Sequence, residues 1–175
     1  SVRLASLLTA EALRELSTRA VSVETPLGLA EGRTLARPVC LVPVLRAGLA
    51  LLEPARELLP NAAVGFIGLE RDEETAIARA YYQKLPANLG DHHVMLLDPM
   101  LATGGSMSDS VIALRAAGAT TITVVCVVAA PEGIARLREV APGIRIIAAA
   151  IDERLDDNAY IVPGLGDYGD RYFGT

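Results

Sequence analysis

Apolar residues along this chain follow two rhythms. Short continuous runs occur at Val39 to Val44, Ala63 to Leu69, Val94 to Leu97, Ile122 to Ala129 and Ile144 to Ile151. None alternates apolar with polar positions, so each predicts a strand buried on both faces. Between them, helical spacing marks Ala47 to Leu59, Ser106 to Ala117 and Pro131 to Val140. Val2 to Leu16 places Leu4, Leu7, Leu8, Ala12 and Leu16 near one face of a further helix. Gly118 and Gly143 stand where helix C-termini favour glycine. Residues Ala20 to Arg37 are mixed, broken by Pro26, Gly28 and Gly32, and fit short strands or an arm. Buried strands joined by helices predict right-handed crossovers and an open, mostly parallel, twisted α/β sheet with flanking helices. In such sheets ligands bind at the carboxyl ends of the strands.

One of those ends carries concentrated chemistry. Val94 to Leu97 runs into Asp98, followed by Pro99-Met100-Leu101-Ala102-Thr103-Gly104-Gly105-Ser106 and then a helical pattern. Backbone N–H groups of a turn that opens a helix are unpaired, and the helix dipole adds positive charge there. The glycines admit close approach of a ligand, and Thr103 and Ser106 add hydroxyls. A phosphate above the loop, with sugar hydroxyls beside Asp98, would use every polar group in the segment. Read alone, the loop is equally a tight strand-to-helix connection with an ordinary capping Ser. That reading leaves the acid at the strand end unexplained, because it is costly there unless it meets donors. Arg46 follows one strand and Arg71 another, so two guanidinium groups fall at the same edge, suited to bidentate pairing with a polyphosphate. Glu70 to Lys84 breaks the rhythm and reads as a hairpin arm or a loop over the site.

Other signals exclude more than they assign. Gly105 is followed by Ser106-Met107 rather than Lys-Ser/Thr, which rules out a Walker-type loop. Gly164-Leu165-Gly166-Asp167-Tyr168-Gly169 matches the dinucleotide pattern literally, yet too few residues follow for a helix and the rest of a βαβ unit. Its glycines fit a turn whose main chain meets a small ligand. His92 and His93 precede the strand that leads to Asp98, at its opposite end, and are expected on the surface; no Ser-His-Asp set or metal cluster assembles. Cys40 and Cys126 lie within apolar runs and read as buried thiols of a reducing, cytoplasmic setting. The chain has 175 residues, 51% hydrophobic and 21% charged, which fits one domain with a substantial core and excludes a disordered chain. Its net charge of −5 argues against a nucleic-acid surface, and no apolar run reaches membrane-spanning length.

The segment Asp98-Pro99-Met100-Leu101-Ala102-Thr103-Gly104-Gly105-Ser106 resembles the phosphoribosyl-pyrophosphate (PRPP) loop of uracil phosphoribosyltransferases. Most phosphoribosyltransferases carry two adjacent acids here, whereas the uracil enzymes have Asp-Pro. Val42 to Leu49, Arg71-Asp72-Glu73-Glu74-Thr75, Ala129 to Ile134, Tyr160 to Asp167 and Gly169 to Thr175 are similar in order and spacing. The resemblance runs from about residue 6 to the end. It implies a single phosphoribosyltransferase domain over 1–175, with an arm at about 70–84 and a base-binding segment at about 152–175. It implies transfer of ribose 5-phosphate from PRPP to N1 of uracil, giving UMP and pyrophosphate. On this resemblance Asp98 to Ser106 hold the ribose hydroxyls and 5-phosphate, while Arg46 and Arg71 meet the pyrophosphate. Ile161, Gly166, Asp167 and Tyr168 bind uracil, with Asp167 also near PRPP. Family members use Mg²⁺ bound mainly through PRPP, form homodimers or higher oligomers, and in several cases respond to GTP.

Differences from the family pattern lie elsewhere. Ala76 to Ala80 stands where prolines are usual, Tyr168 where Ala is usual and Arg154 where Gly is common. An N-terminal stretch of roughly thirty residues is absent by comparison. A phosphoribosyltransferase-like RNA-binding regulator would need a basic face that the acidic balance disfavours. A sister enzyme for orotate would need an added cation, for which Arg154 or Arg171 are the candidates.

Overall fold

The computed structural model describes residues 2–71 and 78–175. In chain order the elements are α1 (Val2–Leu13), β1 (Thr18–Thr25), β2 (Gly28–Leu35), β3 (Val39–Leu45), α2 (Leu49–Leu58), β4 (Ala63–Val64), β5 (Phe66–Arg71) and β6 (Ala78–Lys84). They continue with β7 (His93–Leu97), β8 (Met100–Leu101), α3 (Gly105–Ala116), β9 (Thr121–Ala129), α4 (Pro131–Val140), β10 (Arg145–Ile151), β11 (Arg154–Leu155), β12 (Ile161–Val162) and α5 (Tyr168–Phe173).

The main sheet runs in the order β10-β9-β7-β3-β5-β6, with β4 beside β3 and β8 beside β9. All of these pairs are parallel except β5 with β6, which pair antiparallel as the arm hairpin. The mostly parallel α/β sheet with flanking helices is therefore as the apolar runs predict. Residues 72–77, which include most of the Arg71-to-Thr75 segment, lie outside the described residues.

Strand periodicity sorts the core into two layers. Cys40, Val42, Val94, Leu96, Val124 and Cys126 face α3 and α4 through Met107, Val111, Leu114 and Leu137. The alternate residues Leu41, Met95, Leu97 and Val125 face α1 and α2 through Ala5, Leu8, Ala12, Leu51 and Ala55. Both cysteines are buried and free.

Four local expectations need correction. Leu7 is 67% exposed, because α1 packs through Ala5, Leu8 and Ala12 instead. The run Ala63 to Leu69 divides at Gly65 into β4 and β5; a Cβ on Gly65 would lie 2.8 Å from Leu85 Cδ2. β10 is an edge strand, partly exposed rather than buried on both faces. His92 is not a surface residue, and His93 is only partly exposed. His92 is buried and its Nδ1–H donates to the Asn88 carbonyl at 3.0 Å. His93 shares a 2.9 Å hydrogen bond with the Thr123 hydroxyl. Burial, with the positive charges of Arg145 and Arg37, holds the His93 imidazole below its ordinary value.

Residues 20–37 form most of a β1–β2 hairpin that stands apart from the main sheet. Both strands are exposed along most of their length, and Leu27 at the tip is fully exposed.

Candidate active site

The carboxyl ends of β3, β7 and β9 open on a cavity of about 350 Å³. One wall is the segment that follows β7. Asp98 sits at the strand end, partly buried, with its N–H donated to the Val125 carbonyl at 3.2 Å. Its Oδ1 accepts weakly from Met100 N–H, at 3.4 Å. Desolvation by burial raises the carboxyl to about 7, and the Met100 N–H opposes that rise only in part. A carboxylate that is costly when empty is suited to ligand hydroxyls that donate to it.

The turn after it is fixed by backbone contact. Gly104 adopts φ +76°, and a Cβ there would lie 2.6 Å from the Gly133 carbonyl oxygen. A Cβ on Gly133 would collide with the Ala102 carbonyl oxygen. Two glycines thus let the turn lie against the first turn of α4, with Pro131 at the start of that helix. The N-cap residue of α3 is Gly104, which has no side chain to cap it, the first turn holds no acid, and Gly105 N–H donates weakly to the Thr103 hydroxyl at 3.4 Å. The reading of Ser106 as an ordinary cap therefore fails, and the N–H groups of the first turn beyond Gly105 have no helical partner at the edge of the cavity.

The opposite wall comes from the last quarter of the chain. β11 and β12 pair antiparallel, and Ile161 is buried with Val128 and Ala130, beside Met100 and Ala102 of the loop. Asp152 Oδ2 accepts from Gly164 N–H at 2.9 Å, and Glu132 Oε1 accepts from Leu155 N–H at 3.1 Å. These bonds clamp the segment to the sheet. Only a six-residue helix, α5, follows Gly166, with Asp167 Oδ1 accepting from Asp170 N–H at 2.9 Å, and no further strand of a βαβ unit follows it among the described residues.

Asp98, Met100 to Ser106, Ile161, Gly166, Asp167 and Tyr168 all line the one cavity. Pro99 does not. It is buried, and its carbonyl accepts from Val127 and Val128 N–H at 2.9 and 3.1 Å, which ties the loop to β9. Arg46 is exposed beside the cavity, following a cis Leu45–Arg46 peptide, while its neighbour Ala47 lines the wall. Arg71 ends β5; its side chain lies outside the described residues.

Ala47, Met107, Gly169 and the turn Asn158-Ala159-Tyr160 also line the cavity and were not identified as site residues from sequence. That turn is shaped by Asp156, whose Oδ1 accepts from Asn158 and Tyr160 N–H at 2.9 and 2.8 Å, with Ala159 at φ +64°. The Asp-Asp-Asn run was the available signal for such a turn. Tyr168 Oη is buried and has no hydrogen-bond partner among the described residues. Arg154 pairs with Glu153 at 3.5 Å, and the Arg171 guanidinium donates to the Leu165 carbonyl at 2.8 Å; neither lines the described wall.

A family model described as uracil phosphoribosyltransferase matches residues 1–175. The uracil phosphoribosyltransferase of Dictyoglomus thermophilum is 49% identical over 173 residues, covering 98% of this chain and 84% of that protein. The solved AQ2163 protein of Aquifex aeolicus superposes with a TM-score of 0.92 at 40% identity, over 98% of this chain and 83% of that one. A purine phosphoribosyltransferase from Pyrococcus horikoshii shares the fold alone, with a TM-score of 0.58 at 17% identity over 87% of this chain and 81% of its own. On its full-length match and these relatives, the chain belongs to the uracil phosphoribosyltransferase family.

Proposed function

We infer that this chain transfers ribose 5-phosphate from PRPP to N1 of uracil, releasing pyrophosphate and forming UMP. One observation carries the reading. The start of α3, the partly buried carboxylate at the end of β7 and the segment holding Ile161 and Gly166 line a single cavity.

In this reading residues 1–175 act as one phosphoribosyltransferase domain. Thr103 to Ser106 and the first N–H groups of α3 bind the 5-phosphate. Asp98 accepts the ribose hydroxyls and holds the sugar so that C1 faces the base. As the C1–oxygen bond breaks, its electron pair leaves with pyrophosphate and positive charge grows on the ribose. The ionised Asp98 opposes that charge from the sugar side, and Arg46 and Arg71 take the charge on the leaving group. N1 of uracil then bonds to C1, and its proton passes to the departing pyrophosphate.

Among the described residues no cluster of three or more His, Cys, Asp or Glu side chains is present. Asp98 and Asp167 are the carboxylates on the described wall. That donor set fits Mg²⁺ entering with PRPP, and Asp98 and Asp167 would be the acids available to hold it. The ion supplies charge neutralisation on the pyrophosphate.

Main-chain groups around Ile161 and Gly166 read the acceptor–donor–acceptor edge of uracil. Cytosine leaves a buried backbone group unpaired, at a cost of about 1–3 kcal/mol. The positions of Arg154 and Arg171 away from the described wall favour a neutral base over orotate.

We also read the chain as a homodimer or higher oligomer of a reducing, cytoplasmic compartment. An isolated two-stranded hairpin is marginal in water, and β1–β2 exposes Val23, Leu27 and Leu29, which supports cover by a second copy. A response to GTP rests on the family resemblance alone and is read from the rate with and without GTP. The decisive assay is UMP formation from uracil, PRPP and Mg²⁺; folded protein that makes no UMP refutes the reading.

A further inference from the structure

α5 spans six residues, and none of its side chains is buried. A helix this short is not held by propensity. Its ends are secured instead. Asp167 caps the start, and Gly174, at φ +74°, returns its N–H to the Asp170 carbonyl at 2.7 Å. The side chains of α5 then form a row of rings. Tyr168 and Tyr172 stack with centroids 6.0 Å apart, and Tyr172 meets Phe173 edge-on at 5.0 Å. The row ends under a cation: Arg46 Cζ lies 5.8 Å from the centre of the Phe173 ring, within cation–π range. α5 therefore touches both halves of the site, lining the base side with Tyr168 and Gly169 and meeting Arg46 through Phe173.

Among the described residues no hydrogen bond or ion pair holds the Arg46 guanidinium. We propose that Phe173 is a positioning residue, whose ring holds Arg46 ready for the pyrophosphate of PRPP; this rests on the reading of Arg46 as a pyrophosphate contact. The choice of partner has a chemical reason. A carboxylate would occupy the guanidinium donors and cancel their charge. A ring face restrains the group and leaves all five N–H donors for phosphate oxygens. Restraint before binding also moves part of the rotamer entropy loss out of the binding step.

The test uses the whole protein and two ligands. Inorganic pyrophosphate with Mg²⁺ probes the Arg46 side, and UMP probes the phosphate and base sides. Phe173 is 40% exposed, so Phe173→Leu opens no core cavity. Calorimetry is expected to show pyrophosphate binding weakened roughly 2- to 5-fold in Phe173→Leu, with UMP binding unchanged. Phe173→Tyr keeps the ring and is expected to restore wild-type pyrophosphate binding. On an Arg46→Ala background, Phe173→Leu is expected to add nothing. The ring-current displacement of the Arg46 δ-methylene protons should vanish in Phe173→Leu, independently of any activity.

Equal weakening of UMP and pyrophosphate would assign α5 a purely structural role and overturn the proposal. If Arg46→Ala weakens pyrophosphate and Phe173→Leu does not, the positioning role fails while the Arg46 reading stands. If Arg46→Ala leaves pyrophosphate binding unchanged, the Arg46 reading fails and takes the proposal with it.

Discussion

Asp98→Asn is expected to make the ligand-free protein more stable while making it a poorer enzyme. The carboxyl has an ordinary value of 3.8 and is raised by burial to about 7 in the folded chain. Below 3.8 it is neutral in both folded and unfolded states, so wild type and variant should match. Between 3.8 and about 7 the folded chain holds a proton that the unfolded chain has released, so wild-type stability falls as pH rises. Above about 7 the loss is complete. At about 1.4 kcal/mol for each pH unit, that span sets a ceiling of about 4 kcal/mol. Water in the open cavity screens part of it, which leaves about 2 kcal/mol. Asn keeps an acceptor for the Met100 N–H and carries no charge to desolvate.

Melts of both proteins without PRPP, from pH 5 to pH 8, measure this. At a few degrees per kcal/mol for a chain of this size, Asp98→Asn should melt about 4–8 °C higher at pH 8, with the gap closing toward pH 4. Parallel curves, or a variant that is less stable at pH 8, would refute the argument that Asp98 is destabilised by burial. In the same protein kcat/KM for PRPP should fall about 10- to 150-fold, since hydrogen bonds to a charged acceptor are worth about 1.5–3 kcal/mol.

Three further outcomes follow from the same geometry. Gly104→Ala must carry a side chain at φ +76° and push against the Gly133 carbonyl, so urea melts should show a loss of about 2–4 kcal/mol, with KM for PRPP raised more than KM for uracil. Tyr168→Phe removes a buried hydroxyl that has no partner among the described residues; stability should rise by up to about 1 kcal/mol, and a KM for uracil changed beyond about twofold would show instead that the base uses that hydroxyl. Burial pushes the Cys40 thiol up to about 11 and the Cys126 thiol up to about 12, so both should resist iodoacetamide in the native protein and react on unfolding; rapid labelling of the folded chain at pH 8 would contradict their burial.

The strands were legible because a buried parallel strand must be apolar on both faces, and Val39–Leu45, His93–Leu97 and Thr121–Ala129 obey that rule. The edge strand β10 carries the same apolar signature and yet is partly exposed, since an edge position comes from the strand order, not from composition. His92 and His93 were misplaced for a similar reason. His92 is buried by a local turn, and His93 is partly covered and bonded to a threonine that arrives from β9. Within the site, acids, hydroxyls and glycines near Asp98 announce their chemistry because they are contiguous. Asn158 to Tyr160 reach the same cavity only through the pairing of β11 with β12, and Phe173 reaches Arg46 only through α5. No local pattern encodes either meeting.

What brings these pieces to one place is contact between main chains. A Cβ on Gly48 would collide with the Leu97 carbonyl, one on Gly104 would strike Gly133, and one on Gly133 would strike Ala102. Three glycines therefore let the Arg46 turn, the loop after Asp98 and the start of α4 lie closer than any side chain would permit. The same close packing partly buries Asp98 and raises its carboxyl. Before ligand arrives, a site built this way carries the burial of Asp98 as a cost, which the melts above are expected to read as a pH-dependent loss of stability. In the proposed function, ribose hydroxyls that donate to the ionised carboxylate recover that cost on binding. The energy stored in packing three backbones together thus becomes selectivity for a ligand that brings donors to Asp98 and an anion to the start of α3.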